Sequence, residues 1–202
     1  MYDRGMASPT SASLPHPRDL ERICRGLATL DAIMSSEWEA RYYSFNAAWD
    51  PAAQVRMASM RNGSGDDWFI AFTPHGTFVK AFWHEHPLTP AATVYAGLPA
   101  ALQPQRDEPA FTTDQVTWGG WHDGSAWTLR GDPAPLADEL AMLAGDAAAY
   151  RDYAAAYFEA TVPLEVIVHV LAGAPLDASI VARVNDERSL AELRADLVEI
   201  GY

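Results

Sequence analysis

The sequence predicts an α+β protein, an antiparallel sheet packed with an N-terminal helix and a C-terminal helical segment. Three observations predict it. Apolar residues recur at helical spacing before residue 35, and short β-rich runs broken by Gly, Asn and Asp cluster between 55 and 129. Helical patterns then return after 131. Strands grouped in the chain, rather than alternating with helices, favour α+β over a parallel α/β sheet.

Residues 1–16 read as a disordered tail of Ser, Pro and small residues, without the continuous apolar stretch of a signal peptide. Residues 17–202 are expected to form one domain, with helix and sheet over 17–130 and a helical part over 131–202. Pro17 suits a helix start, and Leu20, Ile23, Leu27, Leu30 and Met34 follow at helical spacing, so a helix is predicted to about Trp38 or Tyr43. A hairpin meander follows near 55–86: strands over 55–61, 68–72 and 77–86, with turns at Asn62–Asp66 and Thr73–Gly76. A Pro-containing connection over 87–109 carries one short helix near 94–102. A second hairpin, near 116–129, turns at Asp123-Gly124. Helices are then expected over 136–143, over 147–160 and from Pro163 to about Gly173. A last one follows the capping box of Ser189 and Glu192.

Net charge is −13, and Lys80 is the only lysine among fourteen basic residues. That balance repels phosphate backbones, which argues against nucleic-acid binding, and favours a basic protein partner. No apolar run approaches the roughly 20 residues of a membrane-spanning helix, so no membrane association is expected. The single cysteine, Cys24, forms no internal disulfide and lies beside the apolar helical stripe, which suits a small buried side chain in a reducing, cytoplasmic setting. The sequence carries no expectation about oligomeric state.

Four constellations bear on chemistry. In an extended strand His84 and His86 would share a face, with His75 across the hairpin, the beginning of a metal site that lacks a spacing-defined third ligand. A metal-binding protein or metal-dependent hydrolase is the alternative this motif raises. The Asn62-Gly63-Ser64-Gly65-Asp66-Asp67 run resembles a phosphate-cradling loop only in its glycines. It has two aspartates where a lysine is needed, and reads as a hairpin turn. Ser64 lacks the glycine spacing of a hydrolase elbow. Trp118, Trp121 and Trp127 crowd one hairpin, where core packing is the ordinary outcome and a binding surface the other.

The run from Asn62 to Phe72, followed by Gly76, Val79 and Phe82-Trp83-His84-Glu85, resembles the central signature of the SUKH superfamily. There a Gly-rich or Gly-Asp turn leads to an aromatic-rich strand, a second turn, and a strand ending in a His-containing element. The superfamily comprises mostly bacterial immunity proteins, which neutralise toxins, together with fungal cell-wall-synthesis regulators. The segment after Pro87 has no counterpart in that signature. The whole chain is also similar to an uncharacterised bacterial family sharing the stretch Met57 to Arg61 and the ending Glu199-Ile200-Gly201-Tyr202. The net charge of −13, the lack of a catalytic constellation and this resemblance together lead to the expectation of a non-enzymatic, immunity-type protein that binds a basic partner or toxin, with no cofactor and no catalytic residues. Asp66, Asp67, Trp118, Trp121 and Trp127 are the expected partner contacts, and His84, His86 and His75 the candidate metal ligands. A structural subunit of a larger assembly is the remaining alternative.

Overall fold

The computed structural model describes residues 13–202. The first twelve residues of the expected tail lie outside the described residues. Of the rest, Leu14 is buried, and the Pro15 carbonyl accepts a hydrogen bond from Trp127 Nε1 at 2.9 Å.

Helix α1 (Pro17–Met34) starts where the sequence places it, with Pro17 in its first turn and the His16 ring accepting from the Arg18 amide. Its buried residues extend well beyond one stripe, because it lies between the sheet and the later helices. Ser35 ends it in extended conformation, short of the expected Trp38. The chain then forms a strand the sequence reading lacked, β1 (Tyr43–Asp50), in which Tyr43 and Phe45 point into the core while Ser44 and Asn46 are half-buried.

Strands β2 (Val55–Arg61), β3 (Asp67–Thr73), β4 (Gly76–Phe82), β5 (Trp118–His122) and β6 (Trp127–Gly131) complete a six-stranded antiparallel meander in chain order. β4 ends four residues before its expected limit. The connection between β4 and β5 holds two single-turn helices, α2 (Ala91–Val94) and α3 (Gln103–Arg106). Five more helices follow: α4 (Ala137–Leu143), α5 (Ala147–Tyr157), α6 (Leu164–Leu171), α7 (Ala178–Val184) and α8 (Arg194–Ile200). The capping box is present, with Glu192 accepting from the Ser189 amide at 2.8 Å, but it sits in turns and the helix proper begins at Arg194.

Both faces of the sheet are covered. Trp68, Ile70, Phe72, Val79 and Trp118 meet α1 and the C-terminal helices. On the other face Val55, Met57, Phe69, Ala71 and Phe78 meet Tyr95, Phe111 and Val116 from the β4–β5 connection. The Phe111 ring stacks 5.0 Å from Phe69 and 6.2 Å from Trp49. This is why β3 reads as an unbroken apolar run: every residue from Trp68 to Phe72 is buried whichever way it points. Close strand approach explains Gly119, where a Cβ would sit 2.5 Å from the Val79 carbonyl oxygen.

Candidate functional site

Two carboxylates are drawn into the core beside a group of tyrosines. Asp31, on α1, is fully buried. Its Oδ2 accepts from the backbone N–H groups of Tyr42 (2.8 Å) and Tyr43 (2.9 Å) and from the Tyr153 hydroxyl (3.2 Å). Its Oδ1 accepts from the Tyr150 hydroxyl at 2.9 Å. Burial pushes the carboxyl up to about 7, against the pull of those four donors. Glu139, at the start of α4, accepts from Trp68 Nε1 at 2.9 Å and from the Tyr43 hydroxyl at 3.1 Å, and burial raises it too. Shifted carboxylates often mark reactive sites. Here the oxygens are occupied by protein donors, so the group acts as a clasp. Asp31 satisfies backbone N–H groups at the outer edge of the sheet and ties α1 and α5 to β1.

The turn between β2 and β3 holds a second set. Asn62 Oδ1 accepts from the amides of Ser64 (2.9 Å) and Asp66 (3.2 Å), which makes the Gly-rich run a side-chain-closed hairpin turn. Burial alone would raise Asp66. The His84 amide and ring and the Asn62 amide group instead hold it below the usual carboxylate range. Asp67 pairs with Lys80, which has no exposed surface and lies between Phe69 and Phe82, 5.6 and 5.3 Å from the ring centres. Burial raises Asp67 and lowers Lys80, and their pairing opposes both shifts. Both aspartates expected to face a partner are therefore committed within the chain.

The histidine motif is arranged differently from its sequence-based expectation. His84-Glu85-His86 lies in a turn closed by the His86 amide on the Trp83 carbonyl at 3.0 Å, so strand alternation does not align the two rings. His75 sits in the β3–β4 turn, at the opposite end of β4, roughly 20 Å of extended chain away. Among the described residues no three His, Cys, Asp or Glu side chains form a group able to hold a metal ion.

No family model, curated protein or solved structure matches the chain. The functional reading therefore rests on the surface.

The tryptophans redistribute the expected binding face. Trp118 and Trp121 are buried, one against the helices and the other opposite Phe78 with the Arg130 guanidinium 5.1 Å from its ring. Trp127 is half-buried and bonded to Pro15. Because both sheet faces are covered, alternation sends every tryptophan of this hairpin toward a core. The exposed tryptophan is Trp38, in the turn after α1, half exposed and flanked by exposed Glu37 and Glu39. Beyond it, half-buried Tyr42 packs 4.3 Å from the exposed Tyr157 ring. The sequence does carry a signal for Trp38: it follows the Ser35-Ser36 helix stop and stands between two glutamates, where nothing apolar lies next to it.

Cys24 is buried in α1, and burial raises its thiol far from the reactive range, in keeping with a packing role.

Proposed function

We propose that this protein is a non-enzymatic binding protein that engages and neutralises a basic protein partner, in the manner of immunity proteins. One observation carries the proposal: the exposed Trp38 stands between two exposed glutamates in a chain of net charge −13. Tryptophan is among the residues that most often anchor an interface hot spot, and the rim around such an anchor is polar. The carboxylates supply a field that a basic surface would follow. The resemblance of the 62–85 region to immunity proteins supports the same reading, and the commitment of Asp66 and Asp67 to internal pairs moves the expected contact from that hairpin to the 37–42 segment.

The test is affinity capture from the native host with the full chain and with Trp38→Ala, with bound proteins identified by mass spectrometry and the interaction rebuilt from purified components. A basic protein retained by the wild type and lost with Trp38→Ala supports the proposal. Recovery of the chain alone at every salt concentration would overturn it.

A further inference from the structure

The cations of this acidic protein are unevenly placed. A trough of about 1150 Å3 runs along α8 and the α6–α7 connection, and a smaller hollow of about 320 Å3 continues from it to the start of α1. The two share Gly173, Gly201 and Tyr202. Arg194 lines the trough, and Arg18, Arg22 and Arg25 line the hollow with Glu21 as the lone acid. Arg22 and Arg25 are engaged. Arg22 bonds Asp19 and the Leu171 carbonyl, and Arg25 bonds Glu21 and the Ile200 and Gly201 carbonyls. Arg18 and Arg194 are exposed, and neither guanidinium has an acceptor among the described residues.

The floor is apolar. Leu176, Leu190 and Leu197 are half-buried along it, and Val198 is 76% exposed. Arg194, Leu197, Val198 and Gly201 fall at i, i+3, i+4 and i+7, one face of α8 and its end. A helix face that places a guanidinium beside an apolar stripe is matched by another helix with carboxylates beside its own stripe. The trough exceeds the roughly 300–1,000 Å3 of a small-molecule pocket and lies on the molecular surface between helical elements, which favours a peptide segment over a small amphiphile. Charge complementarity selects its sign. The net charge of −13 opposes an acidic ligand at long range, but beyond about 10 Å that repulsion is screened at 0.1 M salt, leaving the contact pairs to decide.

We propose that the trough along α8 and the α6–α7 connection, with the hollow that continues from it to the start of α1, docks an acidic amphipathic helix, through Arg194, Leu197 and Val198 in the trough and Arg18 in the hollow. This surface is separate from Trp38 and does not rest on the binding reading above.

The test uses a fluorescein-labelled peptide of about four turns with leucines at i, i+3, i+4 and i+7 flanked by glutamates, and a twin in which every glutamate is lysine. Anisotropy titration against the full chain is expected to give saturable binding of the acidic peptide, weaker by about tenfold for the lysine twin. Arg194→Gln and Arg18→Gln should each weaken the acidic peptide severalfold, and Val198→Asp should abolish its binding. All three side chains are exposed, so unchanged thermal unfolding would show each variant folded. Equal binding of the two peptides, or acidic-peptide binding untouched by Arg194→Gln and Val198→Asp, would overturn the proposal. So would no binding at millimolar protein. Light scattering gives a further decision: a dimer dissociated by Val198→Asp would assign the trough to a second copy and overturn the peptide assignment.

Discussion

Asp31 shows how a single side chain can hold several elements and also set a pH response. The folded protein holds its proton more tightly than the unfolded chain does, since burial lifts the carboxyl from the ordinary 3.8 to about 7. Stability from that proton is fully present below about pH 4 and is lost as pH rises through 7. Glu139, raised by burial, adds to the same trend. The opposite sign belongs to Asp66, held low by His84 and Asn62, and to Asp123, held at about 2 by Ser125 and the Ala126 amide. Their contributions are lost as pH falls below about 4. Urea midpoints should therefore peak near pH 4–5 and decline as pH rises to about 7. Asp31→Asn should flatten this decline, and at pH 5.5 it should cost roughly 1 kcal/mol, because its NH2 group takes the place of Oδ1 and cannot accept from the Tyr150 hydroxyl. A wild-type midpoint that rises between pH 5.5 and 8 would contradict this account. None of it is legible in the sequence, where Asp31 is one acid within a helix and its tyrosine partners lie up to 122 residues away.

At the scale of elements, the connection between β4 and β5 acts as the second wall of the sheet. Phe111 is its wedge, stacked on Phe69 and reaching Phe78 and Trp49. Phe111→Ala should cost about 3–5 kcal/mol, the usual range for emptying a buried aromatic site, and should raise the binding of a hydrophobic dye as Val55, Met57 and Phe69 become accessible. Chemical denaturation of the variant measures the first and dye fluorescence the second. The sequence showed this connection as proline-containing chain with one short helix near 94–102; the structure instead has one-turn helices on either side, α2 and α3, and one turn has no periodicity to place it. Its covering role does leave a trace in the continuous apolar run of β3, which signals burial on both faces. β1 was hidden for a different reason: helical and strand spacing both fit the stretch after Met34, and what fixes it is its ladder with β2, with Asp31 bonding the Tyr42 and Tyr43 amides at its start. The hairpins themselves were readable because Asn62-Gly63 and Asp123-Gly124 specify turns locally. The three tryptophans of the 118–127 segment were readable as a cluster but not as core, since burial depends on what covers each face.

For the whole molecule, charge connects stability to binding with opposite signs. Among the described residues Asp19, Glu21, Asp67, Asp152, Glu165 and Asp196 pair with Arg or Lys. Acids such as Glu37, Glu39, Asp107, Asp114 and Asp138 stand exposed without such a pair. Self-repulsion among them opposes the folded state, while the same field speeds encounter with a basic partner. Raising sodium chloride from about 10 to 150 mM shortens the screening length from about 30 to 8 Å. The unfolding temperature of the free protein should then rise, by calorimetry, while association with the captured partner should slow in stopped-flow measurements. Glu37→Gln with Glu39→Gln should mimic salt by slowing association alone. Trp38→Ala should leave association nearly unchanged and speed dissociation by about tenfold or more, as loss of a packed anchor does. If salt lowers the unfolding temperature instead, the surface ion pairs outweigh the repulsion. If Trp38→Ala slows association without speeding dissociation, the aromatic side chain is no anchor and only the charge recognises the partner.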